Sequence, residues 1–536
     1  MKKHLYYLLA ALSTGLLLHF AWPTTGFIFL LFVAFLPILM MERHISASNA
    51  KRKSGMVFLY SWIAFALFNL TTTLWVKNAH VIGPIATTII NGALMALVIT
   101  LFSATARKIG YKRAQIGLPF LWLCVEVLHQ DWDLSFPWLD LGNAFATHIE
   151  WVQWYDKTGH MGGTLWAWMV NLLFFQAVLA FYESQKRKAL LQTLFALAVI
   201  AVPILLSLNT YANYTEKGFA VDVVAVQPNI ESFTEKWSTP ESQQVEKLIR
   251  LAEPLLDSNV DLLVGPETLL GRGFEEAQMQ FNPSVQRLAS LVNRYPNLNT
   301  VFGATTFTVF TEANKTPIAL PFRDNSGMWY EIYNTGYQVN ANGLSAPYHK
   351  SQLVVAAERM PFRWLLQPLL GKIIVDLGGM TGTHGTQEER AVFTSANGKI
   401  KSAPIICWEA EFGDYVTGYT RNGANLFLAI TNDGWWGDTD GHRQHMHYAR
   451  LRAIENRRSV VRSANTGISC FINQRGEVLQ PQPWATDAAI RHTLMANDDM
   501  TFYAKNGDVI GRLAVFFSAI LLLYALVQGY LRKVKS

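Results

Sequence analysis

Long apolar runs alternate with short polar breaks through the first 210 residues. Seven such runs fall at about 4–22, 26–41, 57–76, 84–105, 115–130, 163–182 and 188–208, and an eighth at 512–531. Most are near the roughly 20 residues a helix needs to cross a hydrocarbon core, and 26–41 and 115–130 are short. One short run alone reads as a buried core helix; the series predicts a polytopic α-helical membrane domain of eight spans. Between 215 and 505 the pattern changes. Strand-length runs recur at 221–226, 260–265, 299–305, 332–339, 403–407 and 425–431. In 241–256, Val245, Leu248, Ile249, Ala252, Leu255 and Leu256 recur at helical spacing, with Pro254 capping or kinking the end. A second helix is expected over 443–457. Alternating strands and helices predict a layered α/β domain. The expected division is 1–210, a transmembrane domain of seven helices; 215–505, a water-facing domain; and 512–531, a C-terminal transmembrane helix.

Charge orients this arrangement. Only 16% of residues are charged and 51% are hydrophobic, against roughly 25% charged in soluble domains. The net charge of +6 does not point to nucleic acid, because much of it sits in short loops between apolar runs. One side carries Lys2 and Lys3; Arg43, Lys51, Arg52 and Lys53; Arg107, Lys108, Lys112 and Arg113; Lys186, Arg187 and Lys188; and Arg532, Lys533 and Lys535. The short loops of the other side carry only Lys77 and Lys157. Cytoplasmic loops are the Lys/Arg-rich ones, so both termini are expected in the cytoplasm and 215–505 outside it. No small-residue cleavage site follows the first run, which therefore reads as an anchor. Trp132, Phe136 and Trp138 in the loop 131–146 suit a membrane interface.

The cysteines are Cys124, Cys407 and Cys470. They are too far apart for a disulfide framework, and no Cys/His cluster suggests zinc. Cys124 lies in an apolar run and Cys470 in an alternating strand, so both read as inert. Cys407, in "SAPIICWEAEFGD", would ordinarily be a buried thiol. Two other segments end strand-like runs with reactive groups. "LLVGPETLL" carries Glu267, and "APYHKSQLVVAAERMPF" carries Lys350 and Glu358. A carboxylate, an ammonium and a thiol near strand ends can meet at one sheet edge. Singly, Glu267 reads equally as a helix cap, Lys350 as a surface charge and Cys407 as core. His445 and His447, two residues apart on a helix, point to different faces and so do not share a metal.

In this order the three segments resemble the nitrilase (carbon–nitrogen hydrolase) superfamily over about 220–495, with 431–478 adding to the likeness. Joined to eight spans, they resemble the apolipoprotein N-acyltransferase family of bacterial inner-membrane enzymes. The loops "FPWLDLGNAFA" and "WVQWYDKTGHMGGTLW" add to that likeness. Trp408 stands where many members have tyrosine, and the segment before "FPWL" lacks the more usual Thr-Gly.

The resemblance implies an α-β-β-α sandwich on the periplasmic side of the inner membrane, no cofactor or metal, and a monomer. It implies that Cys407 takes an acyl chain from a membrane phospholipid as a thioester. The chain then passes, by a ping-pong route, to the α-amino group of the S-diacylglyceryl cysteine of an apolipoprotein. Glu267 is then the general base. Lys350 faces the oxyanion, with a backbone N–H near Trp408, and favours the thiolate. Glu358 is a second essential carboxylate. Glu409 is a further acidic position or a local turn ligand. Trp237 either closes over the acyl chain or packs as a surface aromatic.

Two other classes compete. A membrane-anchored nitrilase-type amidase would use the same triad with water as acceptor. A transporter or receptor would carry intramembrane charges along a pathway, whereas Glu126 is almost the only carboxylate deep in a span. Finally, Phe362, Trp364, Leu365, Leu366, Leu369 and Leu370, in 360–379, form an apolar face. It reads either as a core helix or as an arm lying on the bilayer.

Overall fold

The computed structural model describes residues 2–79, 83–322, 324, 326–365 and 383–535. The chain forms two compact units, Met1–Asn213 with Asn506–Ser536, and Tyr214–Lys505.

The first unit is helical. Among the described residues, seven helices are long and apolar enough to cross a membrane: Lys2–Ala21, Ile28–Ala47, Lys53–Asn78, Gly83–Ile109, His160–Tyr182, Lys186–Asn213 and Val509–Val534. The second is not continuous. A 3₁₀ turn, Ile28–Phe32, precedes the α-helix Leu36–Ala47, which starts with Pro37 in its first turn. Proline is tolerated there because its missing N–H would have no helical partner. The 115–130 run also forms a helix, Tyr111–Gln130, about 30 Å long at 1.5 Å per residue. Lys112, Arg113, Gln115 and Glu126 make it more polar than the other seven.

That polarity is accommodated inside the unit. Trp122 Nε1 and the Leu141 N–H donate to Glu126 Oε1 at 2.8 and 2.9 Å. The same helix packs on the C-terminal one: Phe120 meets Phe517 at 5.3 Å between ring centroids, and Gly117 leaves room for Leu521. Two of the loop aromatics make contacts within the unit. Trp138 is fully buried against Trp75, and the Trp132 indole donates to His129 Nδ1. By contrast, Leu190, Leu194, Leu205 and Leu206 of Lys186–Asn213 are exposed, as lipid-facing side chains are.

The second unit holds two sheets. The first comprises β1 (Phe219–Gln227), β2 (Leu262–Val264), β3 (Leu270–Glu275), β4 (Asn299–Phe310), β5 (Leu320–Pro321), β6 (Trp329–Asn340), β7 (Gly343–Leu344), β8 (Tyr348–His349) and β15 (Ala488–Ala496). Its order is β15-β1-β2-β4-β6-β5, with β3 on β4 and both β7 and β8 on β6. The second sheet runs β14-β13-β12-β11-β10-β9. These strands are β9 (Phe393–Thr394), β10 (Lys401–Ile406), β11 (Leu426–Thr431), β12 (Val460–Ala464), β13 (Cys470–Ile472) and β14 (Val478–Leu479).

Period-2 burial sends alternate residues to opposite sheet faces. Val224 and Val226 of β1 join Phe302 and Tyr337 in a core closed by Val245, Leu248 and Ile249 of helix Glu241–Ala252 and Leu288 and Leu291 of helix Pro283–Val292. Helices Gly413–Arg421 and Asp440–Asn456 cover the second sheet. The inner faces meet directly: Ser463 Oγ donates to the Val226 carbonyl at 2.7 Å. On β6, Gly336 admits the other sheet so closely that a Cβ would lie 3.3 Å from Pro404 Cβ. The result is the expected α-β-β-α sandwich. Two boundaries shift. The 241–256 helix becomes a 3₁₀ turn at Glu253, where Pro254 enters. Cys407 lies just past β10, not inside it.

Candidate active site

β1, β2 and β4 run parallel, as do β10, β11 and β12. The carboxyl ends of parallel strands are where α/β sheets place ligands. Glu267 follows β2, Cys407 follows β10, and Asn432 follows β11.

Glu267 is held from several directions. The Gly303 N–H on β4 donates to the Pro266 carbonyl at 3.0 Å. A side chain at Gly303 would collide with the Glu267 backbone, so the glycine permits this approach. The carboxylate is 5% exposed. Its Oε1 accepts from Asn334 Nδ2 at 2.7 Å and Lys350 Nζ at 3.4 Å, and its Oε2 accepts from the Asn432 N–H at 3.0 Å.

Lys350 leaves β8 with its N–H bonded to the Asn334 carbonyl. Its Nζ donates to Glu358 Oε1 at 2.9 Å. Glu358 also accepts from Asn334 Nδ2 at 3.1 Å and from the Val354 N–H at 2.9 Å. Asn334 on β6 therefore ties both carboxylates to the lysine. Burial works to discharge Lys350, but Glu358, Glu267 and Cys407 outweigh it and hold its pKa above the ordinary lysine range. Burial similarly pushes Glu358 up, and Lys350, His384 and the Val354 N–H bring it below the ordinary carboxylate range.

Cys407 opens the 3₁₀ turn Cys407–Glu411 with φ at +49°, a left-handed conformation uncommon for a residue with a side chain. It is 7% exposed. Burial pushes its thiol pKa well up, and Glu267 adds to that, against Lys350 and a Thr431 hydrogen bond. Lys350 thus pulls toward the thiolate, but burial and Glu267 outweigh it.

Glu409 lies apart from this trio, fully buried among tyrosines. Its Oε1 accepts from Tyr348 and Tyr415 hydroxyls and from the Ser351 N–H; its Oε2 accepts from the Ile406 N–H and the Tyr419 hydroxyl. It thereby joins the backbone just after Lys350 to the backbone just before Cys407. Burial raises its pKa against those hydrogen bonds. Trp408 is buried beside the cysteine. Trp237 is 48% exposed on the short helix Glu235–Ser238 and donates to the Ser232 carbonyl.

Its neighbour Lys236, absent from the sequence-based candidates, is the buried one. Its Nζ donates to the Glu267 carbonyl at 3.3 Å, and burial pushes its pKa down to about 8 against the pull of Glu267. Asn334 and His384 were likewise not anticipated. A lone Asn in an apolar strand or a lone His in a loop has no spacing that marks it. Of the 360–379 face, Trp364 is 76% and Leu365 43% exposed; residues 366–379 lie outside the described residues.

The sequence profile of the carbon–nitrogen hydrolase family matches residues 223–498, and that of the apolipoprotein N-acyltransferase N-terminal domain matches 14–173. The apolipoprotein N-acyltransferase of Chlorobaculum tepidum is 28% identical over 534 residues, covering 96% of each chain. That of Haemophilus influenzae is 25% identical, covering 99% of this chain and 97% of its own. Among solved structures, Saccharomyces cerevisiae Nit3, of branch 10 of the nitrilase superfamily, aligns with 18% identity and a TM-score of 0.35 over 54% of this chain and 94% of its own.

Proposed function

Because this chain belongs to the carbon–nitrogen hydrolase family, we propose that it is an apolipoprotein N-acyltransferase working through Cys407, Glu267 and Lys350. It is a multi-pass membrane protein, and its near-full-length relatives are acyltransferases of that name. The observation that carries the mechanism is the buried Lys350 ammonium between the Glu267 and Glu358 carboxylates, close enough to Cys407 for each to shift the other's titration.

In the first half-reaction Glu267 takes the Cys407 proton as sulfur attacks the ester carbonyl of a phospholipid. Lys350, held by Glu358 and Asn334, faces the developing oxyanion; loss of such a donor typically costs about 10²–10³ in rate. The tetrahedral intermediate collapses, the ester C–O bond breaks, and Glu267 returns its proton to the leaving alkoxide. Lysophospholipid departs and the acyl chain remains as a thioester. In the second half-reaction the α-amino group of the S-diacylglyceryl cysteine attacks the thioester, and Glu267 removes a proton from it. The C–S bond breaks, the amide leaves, and the thiol is restored. Splitting the transfer in this way gives ping-pong kinetics. Glu409 maintains the spacing of the Lys350 and Cys407 segments through its hydrogen bonds.

The test is the mass of the purified protein after incubation with phospholipid alone. An acyl-sized increase on Cys407, released by hydroxylamine and absent from Cys407→Ala, is expected. Label on Cys470 would overturn the assignment. Ammonia release from small amides without lipid acylation would favour the amidase chemistry.

A further inference from the structure

Beneath the Cys407 turn lies a buried polar cluster that the proposed chemistry leaves unused. Glu411, Asp433, His445 and Arg462 are each at most 2% exposed. They come from four places: the 3₁₀ turn that Cys407 opens, the 3₁₀ turn Asp433–Trp436 after β11, the helix Asp440–Asn456, and β12. His445 Nε2 lies 3.2 Å from the Cys407 carbonyl oxygen and 3.7 Å from Glu411 Oε1. On the other edge of the ring, Nδ1 lies 3.0 Å from both Asp433 Oδ1 and Arg462 Nη2. Arg462 Nη2 also donates to Asp433 Oδ2 at 2.8 Å, and Thr431 Oγ1 donates to Asp433 Oδ1 at 2.9 Å.

The hydrogen-bond inventory fixes one feature of this ring. The Nδ1 edge meets a donor and an acceptor and is satisfied in either protonation state. A carbonyl oxygen only accepts, so the Nε2 edge must present an N–H to Cys407. Cys407 cannot be replaced by glycine without losing the thiol, yet its φ of +49° is one that other residues adopt reluctantly. Such a conformation persists where the surroundings over-determine it. Here the turn is clamped on both sides: Glu409 holds the Ile406 N–H, and His445 holds the Cys407 carbonyl.

We infer that His445 is a positioning residue, locking the Cys407 backbone so that the sulfur stands at the carboxyl edge of the sheet, with Asp433 and Arg462 fixing the ring. The inference rests on the reading of Cys407 as nucleophile. It differs from a packing role in one respect: what matters is a single N–H at the Nε2 position. Glutamine places an amide N–H at nearly the same reach, and methionine fills the space without a donor.

The test compares full-length His445→Met and His445→Gln in detergent or vesicles, both checked for folding by thermal unfolding. His445→Met is expected to lower the turnover for Cys407 acylation from phospholipid about a hundredfold at unchanged KM, since small misplacements cost about that much. His445→Gln is expected to recover to within about threefold of the parent, as a change that keeps the positioning contact should. The same pair is read by iodoacetamide alkylation of Cys407, expected slower in Met and near parental in Gln. Equal acylation and alkylation in Met and parent, or a Gln variant as impaired as Met, overturns the inference. Should the parent itself never acylate on Cys407, the reaction assignment fails, and the alkylation arm alone decides the positioning role.

Discussion

At Cys407 two charged neighbours pull the thiol in opposite directions. Glu267 raises its pKa and Lys350 lowers it, with burial the largest cause and on the side of Glu267. A raised pKa leaves less thiolate at pH 7–8, so alkylation of Cys407 is expected to be slower than that of a free thiol. It should keep climbing beyond pH 9 instead of levelling near the ordinary value of about 8.5. Glu267→Gln removes the carboxylate that raises the pKa and should quicken alkylation at pH 8. Lys350→Met removes the charge that lowers it and should slow alkylation further. Both should abolish lipid acylation, because one loses the base and the other the oxyanion charge. Alkylation rates changing in the same direction in the two variants would count against this balance.

Among the elements, β4 and β6 matter most to the site. A Cβ on Gly303 would lie 2.5 Å from the Thr268 nitrogen and 2.7 Å from Glu267 Cα, backbone atoms that cannot rotate away. Gly303→Ala should displace Glu267 and lower the acylation rate about a hundredfold, with an overpacking loss of about 1–3 kcal/mol in stability. An unchanged adduct rate would show that the loop relaxes without moving the carboxylate. The exposed Trp364 gives a second prediction at this scale. Trp364→Glu should weaken acylation from vesicle phospholipid about tenfold, as loss of an interfacial aromatic would, yet spare acylation by a short soluble thioester; equal loss on both would deny Trp364 a part in engaging lipid. Sequence made these elements legible through strand-length runs ending at Glu267 and Cys407. It could not reveal Asn334, whose partners are 67 and 24 residues away. Nor could it show that Lys236, not Trp237, points inward: adjacent helical residues face different ways, and only the packed sheet decides which is buried. The 3.6-residue pattern of Glu241–Ala252 was plain, while the positive φ of Cys407 left no trace, because the side chain that meets its carbonyl, His445, comes from the helix Asp440–Asn456, 38 residues along the chain.

For the whole molecule, the helix Tyr111–Gln130 decides the topology. If it crosses the membrane, seven crossings precede Tyr214, and the N-terminus and residues 214–505 lie on opposite sides. If it does not, six crossings precede Tyr214, and the two lie on the same side. In that second case Lys186, Arg187 and Lys188 would fall on the side opposite Arg107, Lys108, Lys112 and Arg113, against the tendency of Lys and Arg to share the cytoplasmic face. The helix is about 30 Å long, enough to span. Its one deep carboxylate, Glu126, is bonded to Trp122 and Leu141 within the unit instead of facing lipid. Such internal pairing is how membrane proteins retain a polar group at depth. Eight crossings are therefore expected. A topology reporter placed between Arg107 and Arg113 should read cytoplasmic, one at Gln185 cytoplasmic, and one at Asn314 periplasmic. Reporters at Arg107–Arg113 and Asn314 reading the same side would make Tyr111–Gln130 a non-crossing helix. They would also move the thioester chemistry to the cytoplasmic face, away from any acceptor presented outside the cell membrane.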